Sequence, residues 1–432
     1  MFGHRQGKGG RLSRSAVAGV AAAAVMVLAA SACSSGGGSS SAGGTSAGGT
    51  TGGSTSGAIQ IGAILPISGS LSYYGTEYRR GMELAATDIN AAGGINGQKV
   101  SFTYLDDGGD TTTALNAVRS LHAKGVNIVT GSGSSTTDLA ISQLADSLGM
   151  TSWMLGTSTS LVTRGLKNMI APSVLTENFV GAAFAIFKQV PAILNTPMKN
   201  LTVALVYSND AYGTSNATAE APVLTGLGAK VVAKIPYDIT STDYSSVIAK
   251  LKSADPMVVV QTGYTDDVVL MWKQAKAAGY EPKFMIGSGG TGTLNFVQAL
   301  GSYADGFASY GYALPTTKIA ASETFGTDYQ KAYGAPLTSG HALMVYSAML
   351  MLRDTLKKAG TSTDPAKITA AAHALDEPAG TYPNGCGFKL SSGGENTLCS
   401  AGGYQWQNQK LVPVWPASIA TATLTGPLPI AA

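Results

Sequence analysis

The stretch that decides the fold runs from Ile59 to Lys99 and reads IQIGAILPISGSLSYYGTEYRRGMELAATDINAAGGINGQK. It opens with an apolar run, Ile59–Leu65, that predicts a strand, and Pro66 ends this run. A helix follows, because apolar residues recur at helical spacing on one face: Tyr78, Met82, Ala85 and Ile89. The pattern predicts a strand–loop–helix unit with a long loop bearing Tyr74. Ligands bind at this end of a strand in open α/β sheets.

The chain beyond this unit repeats the same alternation of short apolar runs and helical periods. Val100–Leu105, Asn127–Thr130 and Thr151–Leu155 are predicted strands, each followed by a loop rich in Gly, Asp, Ser or Thr. From Glu177 a second copy of this pattern begins, and its first predicted strand is Leu201–Tyr207. Such alternation is typical of parallel sheets covered by helices.

Several further elements are predicted after the second copy. A strand is expected at about 305–310, helices at about 322–333, 340–359 and 365–375, and a strand–turn–strand at 403–415 with Asn408-Gln409 at its turn. The length after residue 57, about 375 residues, is enough for two domains rather than one.

The opening stretch closely resembles the start of type I periplasmic binding proteins of the leucine/isoleucine/valine-binding family. Their strand is followed by a P-x-S-G-x-x-x-x-Y-G loop, matched here by residues 66–75, and by a helix that ends in I-N-A-A-G-G-I-N-G, matched by residues 89–97. The similarity continues more thinly over most of residues 58–415.

This resemblance implies two αβα Rossmann-like lobes with parallel-sheet cores, three chain crossings and a ligand cleft between the lobes. The first lobe is expected to comprise residues 58–175 and 311–380, and the second 176–310 and 381–432. Two lobes joined in this way can close around a ligand.

The first 32 residues predict a secretory signal peptide rather than part of the fold. Arg5 and three further basic residues precede a short apolar run, Ala16–Ala30, that falls short of the roughly 20 residues of a membrane span. Residues 28–33 resemble a bacterial lipobox, which implies a lipid on Cys33. A plain signal peptide or a spanning helix is the alternative. Several acyl chains together would anchor the protein durably to the outer face of the cell membrane.

Residues 33–57 consist almost wholly of Gly, Ser, Thr and Ala and predict a flexible tether. A G-x-S-x-G match at residues 44–48 lies within it and lacks the strand-to-helix turn of a nucleophile elbow. Removing the four basic residues of the signal changes the formal net charge from +3 to about −1. Because only 12% of residues are charged, nucleic acid is not expected as a partner.

Two more cysteines, Cys386 and Cys399, lie near the end of the chain. In an exported protein two such cysteines pair more often than not, and the intervening Ser-Ser-Gly-Gly predicts a turn that lets them meet. A disulfide is therefore expected, with two free thiols as the alternative. Zinc is not expected, because no histidine lies nearby.

Catalytic chemistry has little support in the sequence. The three histidines beyond the signal, His122, His341 and His373, each stand alone. No H-E-x-x-H, C-x-x-C or P-loop motif occurs, and the glycines from Gly131 onward lack dinucleotide-loop spacing. We therefore expect neither an enzyme nor a cofactor or metal.

Binding suits two strand-exit loops better. Residues 132–137 open a helix, whose N-terminal amides and dipole can hold a carboxylate, and Ser134 and Ser135 add hydroxyls there. Simple helix capping is the alternative. The family resemblance implies that Ser134 matches the serine that contacts the ligand's carboxylate, and that Gly156, Thr157 and Ser158 form a second contact loop.

Three tyrosines are predicted in strand-exit loops of both lobes: Tyr74, Tyr212 and Tyr264. A tyrosine presents an apolar face and one hydroxyl, which suits a small amphipathic solute, although ordinary loop packing is the alternative. All three match positions where the family places ligand-contacting tyrosines.

One position departs from the family. Its leucine/isoleucine/valine-binding members carry an acid that pairs with the ligand's ammonium, and this chain has Gly289 there. A buried ammonium without a counter-charge is costly. Either Glu177 takes the role, with a simple helix N-terminal position as its alternative, or the ligand lacks an ammonium. Asp266 and Asp267 are expected to be helix caps.

These observations predict a monomeric, lipid-anchored, extracytoplasmic solute-binding protein that delivers a small molecule to an ABC permease by lobe closure. An amino acid, branched-chain or similar, is the first ligand expected. The alternatives are an amide, a urea-like compound, or an aromatic or short carboxylate, and a ligand-sensing role for a signalling partner.

Overall fold

The computed structural model describes residues 57–428. The predicted signal peptide, Cys33 and nearly all of the tether lie outside the described residues. Within them, no helix is both long and apolar enough to cross a membrane.

The opening stretch folds as the sequence indicates. Strand β1 is Ile59–Leu65 and helix α1 is Ser72–Ala91, whose predicted apolar face is buried. The helix begins earlier than expected, so Tyr74 lies in its first turn and not in the preceding loop. The reason is that the apolar period extends backward: Tyr74, Tyr78 and Met82 follow one another at four-residue steps and are all buried.

The first sheet has five strands, all parallel, in the order β2-β1-β3-β4-β5. Its elements in chain order are β1, α1, β2 (Val100–Asp106), α2 (Thr111–Ala123), β3 (Ile128–Gly131), α3 (Ser135–Ser147), β4 (Thr151–Met154) and β5 (Met169–Ile170). The strand runs predicted from the sequence are thus confirmed to within one residue at each end.

The second sheet has seven strands in the order β12-β11-β10-β9-β8-β6-β7. The elements that follow β5 are α4 (Thr176–Phe187), α5 (Val190–Ile193), β6 (Thr202–Ser208), α6 (Ala211–Gly226), β7 (Lys230–Tyr237), α7 (Ser245–Ala254), β8 (Val258–Gly263), α8 (Thr265–Ala277), β9 (Phe284–Gly289), α9 (Leu294–Leu300) and β10 (Ala308–Gly311). Strands β6 to β10 pair in parallel, so the second copy of the α/β pattern is also confirmed.

After β10 the chain crosses to the side of the first sheet, where it forms three helices, and then returns to the second sheet. Helices α10 (Ala320–Tyr333), α11 (His341–Ala359) and α12 (Pro365–His373) follow, and α11 packs along α1. Strands β11 (Gly402–Gln407) and β12 (Lys410–Trp415) close the second sheet as an antiparallel hairpin. Its turn, Asn408-Gln409, has φ of 52° and 58°, the left-handed pair that suits a two-residue hairpin.

A disulfide joins Cys386 and Cys399, as expected, with their Cα atoms 4.5 Å apart. The segment that it closes lies against the first sheet: the Phe388 ring stacks on Trp153, and Asn396 donates a hydrogen bond to the Pro172 carbonyl. The lobe boundaries remain a prediction. These contacts favour placing residues 381–399 with the first lobe, where the sequence-based division had assigned them to the second.

Candidate ligand-binding site

A partly open cavity of about 50 Å³ lies between the carboxyl ends of the two sheets. Residues of both sheets and of the returning chain line it, so it occupies the position where the cleft was expected. Nine of the residues that line it carry rings: Tyr74, Tyr78, Phe179, Tyr212, Tyr264, Tyr310, Tyr312, His341 and Tyr404.

The structure brings some predicted site residues to this cavity and leaves others away from it. The ones that line it are Tyr74, Thr157, Tyr212 and Tyr264. Ser134, Ser135, Gly156, Ser158 and Glu177 do not. Ligand contact by any of these residues remains a prediction, and the geometry gives the second group other partners.

A buried carboxylate binds together the two exit loops of the first sheet. Asp138, fully buried in α3, accepts hydrogen bonds from the backbone N–H groups of Ser132 at 2.5 Å, Leu155 at 3.2 Å and Gly156 at 2.7 Å. Burial raises the pKa of Asp138 to about 7, although these amides act in the opposite direction. The sequence does not mark Asp138 as a site residue, because an aspartate early in a helix ordinarily interacts only with the helix dipole.

Ser135 completes this link between the loops. Its hydroxyl accepts hydrogen bonds from the amides of Thr157 and Ser158, each at 3.2 Å. Ser134 occupies the N-cap position of α3, but its side chain makes no cap hydrogen bond. Several polar groups expected to meet a ligand therefore hold the two loops together, and Gly133 and Thr157 face the cavity instead.

Gly133 reaches the cavity because it carries no side chain. Its φ is +73°, and an added Cβ would lie 1.9 Å from the Tyr78 ring. A left-handed backbone and the close approach of a buried ring thus both require glycine here. Tyr78 lines the cavity as a consequence.

The position of the family's acid is closed to any side chain. Gly289 lines the cavity with φ of +61°, and an added Cβ would lie 2.2 Å from the Gly263 carbonyl oxygen. This close approach of β8 and β9 accounts for the glycine that the sequence analysis singled out. A carboxylate at residue 289 would require the backbone to move.

Glu177 does not replace that acid at the cavity. It lies exposed in the first turn of α4, where its carboxylate accepts a hydrogen bond from the Thr159 hydroxyl. It lines a separate outer groove of about 540 Å³, together with Ser158 and Thr176. The prediction that Glu177 meets a ligand ammonium in the inner cavity therefore has no support in the geometry.

The cavity wall carries no ionised side chain among the residues described. His341, at the start of α11, is its one titratable nitrogen base, and burial lowers the pKa of this histidine to about 3. In the sequence, His341 stands apart from the other histidines. Its position after Ser339-Gly340, at the opening of a long helix, was the available signal.

Two carboxylates stand directly behind cavity tyrosines. The Tyr264 hydroxyl donates to Asp210 at 2.6 Å, and the Tyr310 hydroxyl donates to Glu220 at 2.8 Å. Burial raises the pKa of Glu220 to about 7, and burial together with Asp210 raises the pKa of Tyr264. Both acids interact with protein hydroxyls and are not among the residues that line the cavity.

Contacts between the two sides hold the cavity closed. The Thr265 hydroxyl donates to the Tyr74 hydroxyl at 3.2 Å, and the Ala211 amide donates to the Thr136 hydroxyl at 3.1 Å. The rings of Tyr74 and Tyr264 meet edge to face, with centroids 5.7 Å apart. Tyr74 and Tyr212 act from the first turns of helices, and Tyr264 is the N-cap of α8.

The other predicted caps are also placed differently. Asp266 and Asp267 lie in the first turn of α8, so the prediction that they cap the helix is wrong. Asp267 is buried and accepts a hydrogen bond from the Tyr237 hydroxyl at 2.6 Å. Across residues 57–428, no group of three or more His, Cys, Asp or Glu side chains is arranged to hold a metal ion.

Comparison with known proteins supports the same picture. The family model described as "Periplasmic binding protein" matches residues 58–401. Leu/Ile/Val-binding protein homolog 8 of Brucella abortus is 33% identical over 373 residues, which cover 85% of this chain and 92% of that protein.

Solved structures share the fold at low sequence identity. The branched-chain amino acid transporter substrate-binding protein LivJ of Streptococcus pneumoniae, in complex with isoleucine, has a TM-score of 0.71 at 22% identity, covering 82% of this chain and 97% of that one. A solute-binding protein of an ABC transporter from R. palustris, in complex with benzoate, has a TM-score of 0.73 at 21% identity, covering 86% and 99%.

The two-sheet architecture, the cavity between the sheets and the length of the family match lead to one assignment. The Brucella relative is named as a homolog of Leu/Ile/Val-binding protein, and the two structural neighbours are substrate- or solute-binding proteins of transporters. The chain belongs to the periplasmic binding protein family, type I, of the Leu/Ile/Val-binding kind.

Proposed function

We propose that this protein is the extracytoplasmic solute-binding lipoprotein of an ABC importer, which closes its two lobes around a small solute and performs no chemistry on it. The family membership and the cavity between the sheets support this function. The hydrogen bonds that link Tyr74 with Thr265 and Thr136 with Ala211 would form on closure and break on release.

We further propose that the solute carries no ammonium group that needs a carboxylate partner. One observation carries this proposal: no ionised side chain among the described residues lines the cavity, and Gly289 closes the position of the family's acid. A charged amine in this wall would lose its hydration without a direct counter-ion. The aromatic rings and hydroxyls suit a small amide, a urea-like compound, or an aromatic or short carboxylate.

A branched-chain amino acid is the second candidate. The names of the Brucella relatives and the isoleucine bound to the S. pneumoniae protein favour it. The benzoate bound to the R. palustris protein favours the first candidate, at a similar level of structural likeness. The ammonium of an amino acid would have to be held by tyrosine oxygens and ring faces.

The test is isothermal titration of the tag-free protein from residue 58 onward, first unfolded and refolded to remove carried-over solute. The probes are leucine, isocaproate, benzoate, benzamide and urea. We expect binding by an amine-free probe and none by leucine. Binding by leucine alone would select the second candidate, and no heat with any probe would refute both ligand classes.

A pair of matched variants ties binding to the cavity. Thr157→Val removes a buried hydroxyl that has no hydrogen-bond partner and faces the cavity. We expect affinity to fall by about tenfold, the loss of one hydrogen bond. Thr369→Val removes a similarly unpartnered hydroxyl in α12 and should leave affinity unchanged. Equal effects of the two variants would contradict this location.

The remaining parts of the proposal concern assembly. We propose that Cys33 carries the lipid anchor, that the protein acts as a monomer, and that a separate permease receives the solute. Expression of Cys33→Ala should move the protein from the membrane fraction to the medium. A sensory role for a signalling partner would use the same cavity. It is distinguished by loss of a signalling response, and not of uptake, when the gene is deleted.

A further inference from the structure

Two tyrosines on the second-sheet side of the cavity donate their hydroxyl protons to carboxylates of the protein. Tyr264 donates to Oδ2 of Asp210 at 2.6 Å, and Tyr310 donates to Oε1 of Glu220 at 2.8 Å. Both tyrosines line the cavity, and both carboxylates lie outside it. Glu220 is only 2% exposed, so solvent does not compete for its partner.

The direction of these two hydrogen bonds limits what the tyrosines can offer a solute. A phenol has one proton, and a carboxylate in its ionised form, which Glu220 adopts above a pKa of about 7, can only accept. Once the proton is donated to the carboxylate, the phenol oxygen has only lone pairs left for another partner. Donation to a charged acceptor also strengthens the bond, so the proton is not readily turned into the cavity.

The second carboxylate oxygen of Asp210 fixes the position of this side chain through two hydrogen bonds. Oδ1 accepts hydrogen bonds from the Gly213 amide at 2.9 Å and from the Ser208 hydroxyl at 2.6 Å, which makes Asp210 the N-cap of α6. The helix cap thus fixes the carboxylate, and the carboxylate in turn fixes the proton of Tyr264.

The first-sheet side has the opposite character. The Thr157 hydroxyl is buried at the cavity without a hydrogen-bond partner. The backbone carbonyl of Thr157, by contrast, already accepts a hydrogen bond from the Thr176 hydroxyl at 2.9 Å. The Thr157 hydroxyl is therefore free to donate to an oxygen of a solute.

We propose that Tyr264 and Tyr310 are specificity-determining residues that accept hydrogen bonds from an N–H donor of the solute, and that Asp210 and Glu220 act through them as positioning residues. The solute would place an N–H group at this end and an oxygen acceptor near Thr157, as a primary carboxamide or urea does. This inference rests on the proposed solute-binding function and adds the polarity of the ligand.

The test reverses the polarity at one tyrosine. Asp210→Asn retains an oxygen for the Gly213 amide, and asparagine is as good an N-cap as aspartate. Its side-chain N–H₂ would replace Oδ2 and donate to the Tyr264 oxygen, which turns the phenol proton toward the cavity. A matched control is Asp267→Asn, because Asp267 accepts from Tyr237 in the same way and neither residue lines the cavity.

The probes are benzamide and acetophenone, which have nearly the same shape and differ in an N–H₂ or a methyl group beside the carbonyl. For the wild type and Asp267→Asn we expect benzamide to bind about tenfold more tightly, the equivalent of one hydrogen bond. In Asp210→Asn this preference should disappear. A second pair, leucine and isocaproate, asks whether a charged N–H donor is accepted as well. Equal affinity within both pairs in the wild type would overturn the proposal.

A measurement without ligand separates this inference from the proposed function. The tyrosine Fermi doublet in the Raman spectrum reports whether a phenol donates or accepts. The difference spectrum between the wild type and Tyr264→Phe should show the loss of a strong donor, and Asp210→Asn should convert that donor signal to an acceptor signal. If no probe binds but this conversion occurs, the ligand class fails and the assigned polarity stands. If the signal does not change, the inference is wrong whatever binds.

Discussion

The two sides of the cavity use buried carboxylates in different ways. On the first-sheet side, Asp138 accepts from three backbone amides and ties two loops together. On the second-sheet side, Asp210 and Glu220 accept from the hydroxyls of Tyr264 and Tyr310. One side therefore fixes backbone position, and the other fixes the direction of side-chain protons.

This difference explains how a cavity without a charged wall can still be selective. The acids do not line the cavity. They accept hydrogen bonds from protein groups, some of which a solute would touch. A fully buried acid bound to amides contributes to the shape of the site, whereas an acid bound to a phenol contributes to its polarity.

Replacing Asp138 should have the largest effect, since it would separate the two loops of the first-sheet side. Asp138→Ala leaves three buried amides without acceptors, so we expect the free energy of unfolding to fall by about 3–5 kcal/mol. Urea denaturation measures this loss, and amide exchange of residues 131–138 and 152–160 should accelerate together.

The control for this prediction is Glu77→Ala, which removes another buried carboxylate, one that accepts from Tyr329 and Arg80. This variant should also be less stable, but its exchange in the two loops should match the wild type. Unchanged protection of both loops in Asp138→Ala would show that the carboxylate does not hold them.

On the second-sheet side, Gly289→Ala should be the most damaging small change. The added Cβ would combine a left-handed backbone with a collision against the Gly263 carbonyl, and we expect a loss of about 2–4 kcal/mol in unfolding free energy. Gly279→Ala is a close control, because its φ is +62° and nothing lies within 4 Å of the added atom. That variant should lose only about 1 kcal/mol. Similar losses in both variants would mean that the collision is relieved by a small shift.

The Glu220 carboxyl, which accepts a hydrogen bond from Tyr310, should make the free energy of unfolding depend on pH. The pKa of Glu220 is raised from 4.5 to about 7 in the folded protein, so between these values the folded state binds more protons than the unfolded state. Stability from this group is therefore present below pH 4.5 and is lost as the pH rises through about 7.

Comparing the wild type with Glu220→Gln isolates this contribution, because glutamine keeps an acceptor for Tyr310 and does not titrate. From pH 4.5 to pH 8, we expect the unfolding free energy of the wild type to decline relative to the variant by about 1–3 kcal/mol. Parallel pH profiles would show that Glu220 titrates normally in the folded protein.

The smallest effect should come from a contact that joins the two sides. Thr136→Val removes the acceptor of the Ala211 amide. Because we propose that this hydrogen bond forms on closure, we expect affinity for any probe that binds to weaken about threefold. Thr87→Val, at an exposed position on α1 whose hydroxyl bonds only within its own helix, is the control. An effect on unfolding free energy without one on affinity would contradict a role in closure.

Much of the fold could be predicted because it depends on local pattern. The apolar runs gave strand positions, and the period of α1 identified its buried face at Tyr78, Met82 and Ile89. Asn408-Gln409 marked the hairpin turn for the same reason, since asparagine adopts the left-handed conformation more readily than most residues. The start of α1 differs from the prediction because the apolar period continues back through Tyr74, where the family motif indicates a loop.

The candidate site could be predicted only in part. Tyr74, Tyr212 and Tyr264 were identified by their position after strands, and all three line the cavity. His341 and Tyr404 were missed, because they reach it from elements that the chain adds after its α/β repeats. Tyr310 was missed although it lies in β10, the last parallel strand of the second copy. Glu177 was predicted to replace the acid that the family carries where this chain has Gly289, yet Glu177 lines an outer groove.

The sequence by itself determined the class of this protein: alternating strand and helix periods require covered parallel sheets, and the motif around residues 59–99 identifies the family. Only the tertiary structure decided which polar groups remain free for a solute. Hydrogen bonding is settled by distance and direction between residues far apart in the chain, as between Asp138 and Gly156 or between Tyr264 and Asp210. No local sequence pattern shows that a backbone amide or a hydroxyl proton already forms a hydrogen bond within the protein.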